Sequence, residues 1–305
     1  MLYKNKKKIA YIRYNNRCYE KFIEKVFAYF RKIFAKIIIE NIEDGIIILV
    51  PKYKFCSNII KKRMLKQIRK YLIQEEIKYI VFEKELEHLK KEFNNIKILN
   101  GKYCMKSLIL PVLEYIVKIN KRNINLENVY IFVNQYTRNN IELIERLARN
   151  VKTVNIITEN LKYFKKLESF LYNEGILITV SNNKKKSANR AKFIINMDFP
   201  KEIFENYVIN MDSIIINLTD EKIFFENAFR GIIVNNFKVS INDNILEFYK
   251  EFYGNIDEKI FVESFVIDRE FKYVCSVFNS FFGEIVGLIG VRGEIQKCEI
   301  LQLLG

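Results

Sequence analysis

The sequence predicts a two-domain α/β protein whose second domain is a parallel sheet with helices on both faces. Five strongly apolar runs recur in the second half of the chain: VYIFV (129–133), VNIIT (154–158), ILITV (176–180), KFIIN (192–196) and SIIINL (213–218). Segments with apolar residues at helical spacing alternate with them, among them Ile141, Ile144, Leu147 and Ala148, then Leu161, Phe164, Leu167, Phe170 and Leu171. Strands this apolar need cover on both faces, which a parallel sheet flanked by helices supplies. A chain of 305 residues is also long enough for two cores of ordinary size.

Ahead of that region the same alternation is looser. KIAYIRY (8–14) reads as a strand, and residues 19–37 carry Phe22, Val26, Phe27, Phe30, Ile33 and Phe34 at helical spacing. IIILV (46–50) is a buried-strand run closed by Pro51, and Ile59 to Leu72 marks a second helix. YIVF (79–82) and IKIL (96–99) are strands with a short helix near 85–93 between them. Met105 to Ile119 form a one-sided apolar stripe, and Pro111 inside it predicts either a kink or a later helix start. KRNINLEN (121–128) reads as the turn between domains. RGIIVNNFKV (230–239) offers a sixth strand, 244–282 reads as helical, and VGLIGVRGEIQKCEILQLLG (286–305) as a glycine-punctuated hairpin or tail. The expected domains are 1–122, 123–240 and 241–305, the last packing back on the first two.

Composition narrows the chemistry. Five cysteines, far apart and never in a CxxC pair, argue against a disulfide framework and against a zinc site. The one histidine, His88, sits in the charged stretch KELEHLKKEF, so histidine-centred triad or metal chemistry has little to work with. No run reaches the roughly 18 apolar residues of a membrane span, and no signal-peptide pattern opens the chain. The expected location is the cytoplasm. The formal net charge is +15, with the excess of Lys and Arg confined to the first 200 residues. Such asymmetry suits an anionic partner, although lysine drift in a chain rich in Ile, Asn and Lys produces it too.

In the stretch VYIFVNQYTRNNIELIERLARN (129–150) a strand, a polar loop and an amphipathic helix follow in the order that opens a dinucleotide-binding unit. Residues 129–218 resemble the NAD(P)-binding Rossmann domain, and the whole plan is similar to two-domain shikimate and amino-acid dehydrogenases. The family's loop reads GxGxxG, which brings pyrophosphate against the helix N-terminus. Here the loop is Asn134-Gln135-Tyr136-Thr137-Arg138-Asn139-Asn140, with no glycine. Asn139 as N-cap with Glu142 three residues on would occupy the amides that a phosphate takes.

If a nucleotide binds, the resemblance puts it against Thr137, Arg138, Glu159 and the lysines Lys184, Lys185 and Lys186, with Glu159 where an acidic residue meets the adenosine ribose. Asp198, after the fourth strand, is a candidate general base or turn cap, and Lys102 a candidate acid/base partner. No metal ligand set and no dense collection of polar strand ends is evident. The resulting expectation is a non-catalytic binding or regulatory protein on a dehydrogenase-like scaffold, without a cofactor, whose partner is an anionic small molecule or a protein. The alternatives are an NAD(P)-dependent oxidoreductase with an atypical loop and a basic protein that binds nucleic acid or an anionic membrane surface, to which the Lys- and Arg-flanked helix 19–37 and the KNKKK start (4–8) could contribute.

Overall fold

The computed structural model describes residues 9–15, 37–42, 45–51, 58–219, 221, 223, 229–241, 255–267 and 271–304. The expected helix over 19–37 (all but Ile37), the basic segment 4–8 and residues 242–254 lie outside the described residues. Two compact units emerge: residues 1–101 with 243–267, and residues 102–242 with 268–305. The first boundary falls at Gly101, and residues 243–305 divide between the two units.

The first unit holds a five-stranded sheet of β1 (Ile9–Tyr14), β2 (Ile38–Ile42), β3 (Gly45–Val50), β4 (Tyr79–Phe82) and β5 (Lys97–Ile98), in the order β2-β3-β1-β4-β5. All pairs are parallel except β2 with β3. Helix α1 (Asn58–Gln74) buries Met64, Leu65, Ile68 and Leu72 in the same core as Ile12, Ile48, Ile80 and Phe82. The short helix expected near 85–93 is a 3-10 helix over Lys84–Glu92. A later segment, Glu258–Val266, also belongs to this unit: its Ser264 hydroxyl lies 2.7 Å from the Tyr11 hydroxyl, and the Glu263 carboxylate accepts a 2.6 Å bond from the Gly101 amide. Gly101 has φ 78°, a backbone state in which a side chain would be strained.

The second unit opens with helices α2 (Lys102–Ser107) and α3 (Ile109–Ile119). Pro111 lies in the first turn of α3, where its missing N–H breaks no helical bond, and the apolar stripe is split at Leu108 between the two helices. Six strands follow: β6 (Asn128–Phe132), β7 (Thr153–Ile157), β8 (Ile178–Ser181), β9 (Phe193–Asn196), β10 (Ile214–Asn217) and β11 (Ile232–Val234). Every pairing among them is parallel, and the order is β11-β10-β9-β6-β7-β8. Counted along the chain this is third-second-first-fourth-fifth-sixth, the Rossmann-like arrangement, in which the strand order reverses at β6. Consecutive residues of β9 and β10 are buried, so both faces of the sheet are covered.

Helices α4 (Arg138–Ala148) and α5 (Leu161–Asn173) link the first three strands. Helix α5 ends at Gly175, whose amide donates to Tyr172 while that of Ile176 donates to Leu171. This paired closure needs the positive φ of 77° that glycine tolerates. The piece expected as helix at 184–191 is a turn with one bridge, Ala188 to Ile209, and only the four-residue helix Lys201–Phe204 intervenes before β10. The segment 230–239 feeds two sheets. It supplies β11, then crosses at Asn235 into β12 (Asn236–Ile241), which pairs antiparallel with β13 (Phe282–Ile289), itself paired with β14 (Glu294–Ile295). The glycine-rich tail is thus a hairpin, followed by a helix (Lys297–Leu304) that its sequence did not announce.

Candidate functional site

Open α/β sheets bind ligands beyond the carboxyl ends of their strands, at the point where the strand order reverses. In the second unit that point lies between β6 and β9. All six strands end there in a short polar residue: Asn134, Thr158, Ser181, Asn196, Asn217 and Asn235, each closing an apolar run. The expectation of few polar strand ends is therefore corrected.

On one side, the Asn196 amide group donates to Asn217 Oδ1 at 3.3 Å and Asn217 donates to Asn235 Oδ1 at 3.1 Å, so neighbouring strand ends are tied side chain to side chain. On the other, Asn134 Oδ1 accepts from the Thr158 hydroxyl and the Glu159 amide, and Asn160 donates back to the Asn134 carbonyl at 2.7 Å.

At the reversal point Asp198 does what a bound anion would do. Its Oδ1 accepts from the Asn134 amide at 2.6 Å and its Oδ2 from the Gln135 amide at 2.9 Å. The loop that lacks glycines is thus pinned by a carboxylate of the protein. Helix α4 is capped by Thr137, not Asn139: Thr137 is extended, and its hydroxyl accepts from the Asn140 amide at 3.3 Å. Glu142 is not part of a capping box either, because it pairs with Arg138 at 2.8 Å, one turn back.

Asn140 completes the cluster. It is 2% exposed, and its amide group donates to the Gln135 carbonyl at 2.9 Å and to Asp198 Oδ2 at 3.3 Å. Its own Oδ1 accepts from Lys106 Nζ at 3.2 Å. Burial pushes the Lys106 pKa below the usual lysine value, and the nearby Asp198 charge opposes that shift. The result is a continuous path, Lys106 to Asn140 to Asp198, from a desolvated ammonium to a carboxylate.

The other residues singled out from sequence are placed as follows. Lys102 donates to the Thr219 carbonyl at 2.7 Å. Glu159 meets the loop through its backbone, and its side chain is exposed. Lys184, Lys185 and Lys186 are exposed on a turn held by Asn183, which accepts the amides of Lys185 and Lys186. The structure brings Thr137 and Asp198 to the α4 mouth together, with Arg138 on the outer face against Glu142. Lys106 and Asn140 were missed. Their signal was present: Asn140 sits on the stripe of Leu143, Ile144 and Leu147, and Lys106 follows Cys104 and Met105, both places where a polar residue must find a partner indoors. Among the described residues, no group of three or more His, Cys, Asp or Glu is placed to hold a metal ion, and no helix is long and apolar enough to cross a membrane.

No protein-family model and no curated protein matches the chain. Solved structures do. One is aspartate transcarbamoylase from Trypanosoma cruzi in complex with N-(phosphonacetyl)-L-aspartic acid, at 12% identity and a TM-score of 0.30 over 70% of this chain and 72% of that one. Another is ornithine carbamoyltransferase from Pyrococcus furiosus, at 11% identity and a TM-score of 0.28 over the same shares.

These neighbours correct the expectation of an NAD(P)-binding dehydrogenase relative. The readings drawn from it are set aside with it: the non-catalytic dehydrogenase-like scaffold and the NAD(P)-dependent oxidoreductase. In the glycine-free loop Asp198 takes the amides of Asn134 and Gln135, and Thr137 closes the helix that follows. At TM-scores this low the likeness transfers neither substrate nor reaction to this chain.

Proposed function

We propose that the second unit binds a small anionic molecule at the carboxyl edge of its sheet, between β6 and β9, with Lys106 as the binding cation. The observation that carries this reading is the state of Lys106. Its ammonium is desolvated, its hydrogen bond goes to the neutral oxygen of Asn140, and it stands where the strand order reverses. A cation held away from water gains much from an anion that replaces the lost solvent. A buried lysine at a ligand-bearing edge, its pKa lowered by desolvation, is also the sort of residue that marks functional sites.

Asp198 does not compete for that ligand, because its oxygens are turned to the amides of Asn134 and Gln135. The ligand is too small to need the helix N-terminus, which Thr137 closes. Inorganic phosphate and malonate are suitable probes. Either should raise the melting temperature of the full chain, with a stabilisation of about 2.7 kcal/mol at a hundred times the dissociation constant. The Lys106→Met variant should show no such shift. Equal shifts in both proteins, or none in either, would remove the reading.

A further inference from the structure

Helix α2 sends two ammonium groups toward the carboxyl edge of the six-stranded sheet. Lys102 and Lys106 stand one turn apart on it, and side chains at that spacing leave the same face about 5–6 Å apart. From there they diverge. Lys102 donates to the Thr219 carbonyl at 2.7 Å, and Lys106 donates to Asn140 Oδ1 at 3.2 Å. Thr219 lies just past the end of β10, and Asn140 lies in the first turn of the helix that follows β6. Strand β9 runs between those two strands, so the ends of β10 and β6 are two strand spacings, about 9.5 Å, apart.

Both bonds are half-buried and end on neutral oxygens. An ammonium gains more from a charged acceptor than from a neutral one. The stretch that carries the two lysines, GKYCMKS (101–107), has no acidic residue. Carboxylates that follow the neighbouring strands are turned to the backbone: Asp198 accepts the Asn134 and Gln135 amides, and Glu221 accepts the Lys201 amide at 2.8 Å. The charge of Asp198 is felt at Lys106, but its hydrogen-bonded link to that ammonium runs through Asn140.

We propose that the ligand of this edge carries two separate anionic groups, one at Lys106 and a second, about three carbon atoms away, at Lys102. Lys106 keeps the role given to it above, on which this assignment rests, and Lys102 becomes the residue that selects a dicarboxylate over a monocarboxylate. One carboxylate is too small to meet two ammoniums that diverge in this way. With about 2.8 Å taken up by each ammonium–carboxylate bond, a chain of glutarate length places one carboxylate at each.

Calorimetric titration of the full chain with glutarate, pentanoate and malonate tests this. Glutarate should bind roughly tenfold more tightly than pentanoate, which keeps the carbon chain but has one carboxylate, the difference being one charge-assisted hydrogen bond. Malonate, whose carboxylates are one carbon apart, should fall short of glutarate by a similar factor. Lys102→Met should bring glutarate down to the level of pentanoate and leave the stabilisation by phosphate in place, because phosphate needs Lys106 alone. Lys106→Met should abolish binding of all three acids.

Equal affinities for glutarate and pentanoate, beside a phosphate shift that depends on Lys106, would overturn the two-group ligand and leave the anion site standing. Loss of the phosphate shift as well would overturn both. A preference for glutarate that survives Lys102→Met would remove Lys102 from the site. Where Lys102→Met fails to fold, the parent chain decides, and any ranking of the three acids that does not put glutarate first overturns the proposal.

Discussion

The Asp198 carboxylate accepts a 2.6 Å hydrogen bond from the backbone amide of Asn134, joining the chain just beyond β9 to the chain just beyond β6. The first unit repeats the device. There Glu83, immediately after β4, accepts a 2.8 Å bond from the amide of Tyr14 at the end of β1, and Glu83 is 4% exposed. In each sheet the carboxylate follows one of the strands flanking the first strand of its unit. Amides at the end of that central strand have no ladder partner beyond it, and an internal carboxylate satisfies them with a charge-assisted bond.

Replacement of Asp198 by alanine should therefore strand two amides at the ligand edge. The expected loss is about 1 to 3 kcal/mol, toward the lower end because the site is half-exposed and water can substitute. Urea denaturation measures the loss. Hydrogen exchange should accelerate at Asn134 and Gln135 and leave β10 unaffected, and a uniform acceleration would contradict a local role for the carboxylate.

The parallel sheet was legible because its strands are apolar throughout, a pattern that only two-sided cover explains; Phe193 to Asn196 is the clearest case, with every residue buried. The site was half legible. Asp198 and Thr137 could be picked out because they follow strands or precede a helix. Their roles could not, since whether Thr137 or Asn139 caps α4 depends on where the backbone turns helical, and both are competent caps. Lys106 and Asn140 were hidden by distance in sequence: 34 residues separate them, and helical periodicity places each on a face without saying which faces meet. Strand β2 was masked in another way. Its run of isoleucines continues the apolar spacing of the preceding segment, and short apolar runs suit either structure.

Lys106 gives a pH dependence whose sign is fixed. Burial lowers its pKa in the folded chain relative to the unfolded value of about 10.4. Between those two values the unfolded chain binds more protons than the folded one, so stability rises with pH through that window. Below it both states are charged and the folded state bears the full desolvation cost. Lys106→Met should accordingly be more stable than the parent chain at neutral pH, and the difference should shrink as the pH enters the alkaline range. A difference that is flat with pH would show that the lysine is not desolvated.

Asn217 ties three strand ends. It accepts from Asn196 and from the Thr219 hydroxyl at 2.9 Å, and it donates to the Glu221 carbonyl at 2.7 Å and to Asn235. It is 1% exposed, so truncation to alanine leaves buried partners without replacement water. The expected cost is at least about 2 kcal/mol. Thermal unfolding of Asn217→Ala beside Asn196→Ala and the double variant would test the coupling. Because the two side chains share one bond, the double variant should lose less than the sum of the singles.

Tyr207 carries the opposite prediction. Its ring packs edge-on against Phe132 at 5.2 Å and against Phe199 at 5.9 Å, within the core that covers β6, β9 and β10. The residue is 4% exposed and its hydroxyl has no hydrogen-bond partner among the described residues. Burial, and secondarily the charge of Glu159, push its pKa above the ordinary tyrosine value, so the phenol stays protonated and keeps a donor with nothing to donate to. An unsatisfied buried hydroxyl costs about 1 to 3 kcal/mol, whereas the ring contacts are common to phenylalanine. Tyr207→Phe should thus raise the urea midpoint with an unchanged denaturant slope. A lower midpoint would mean that the hydroxyl is engaged in solution, by water or by a ligand at the carboxyl edge, and repeating the measurement with saturating phosphate would tell the two apart.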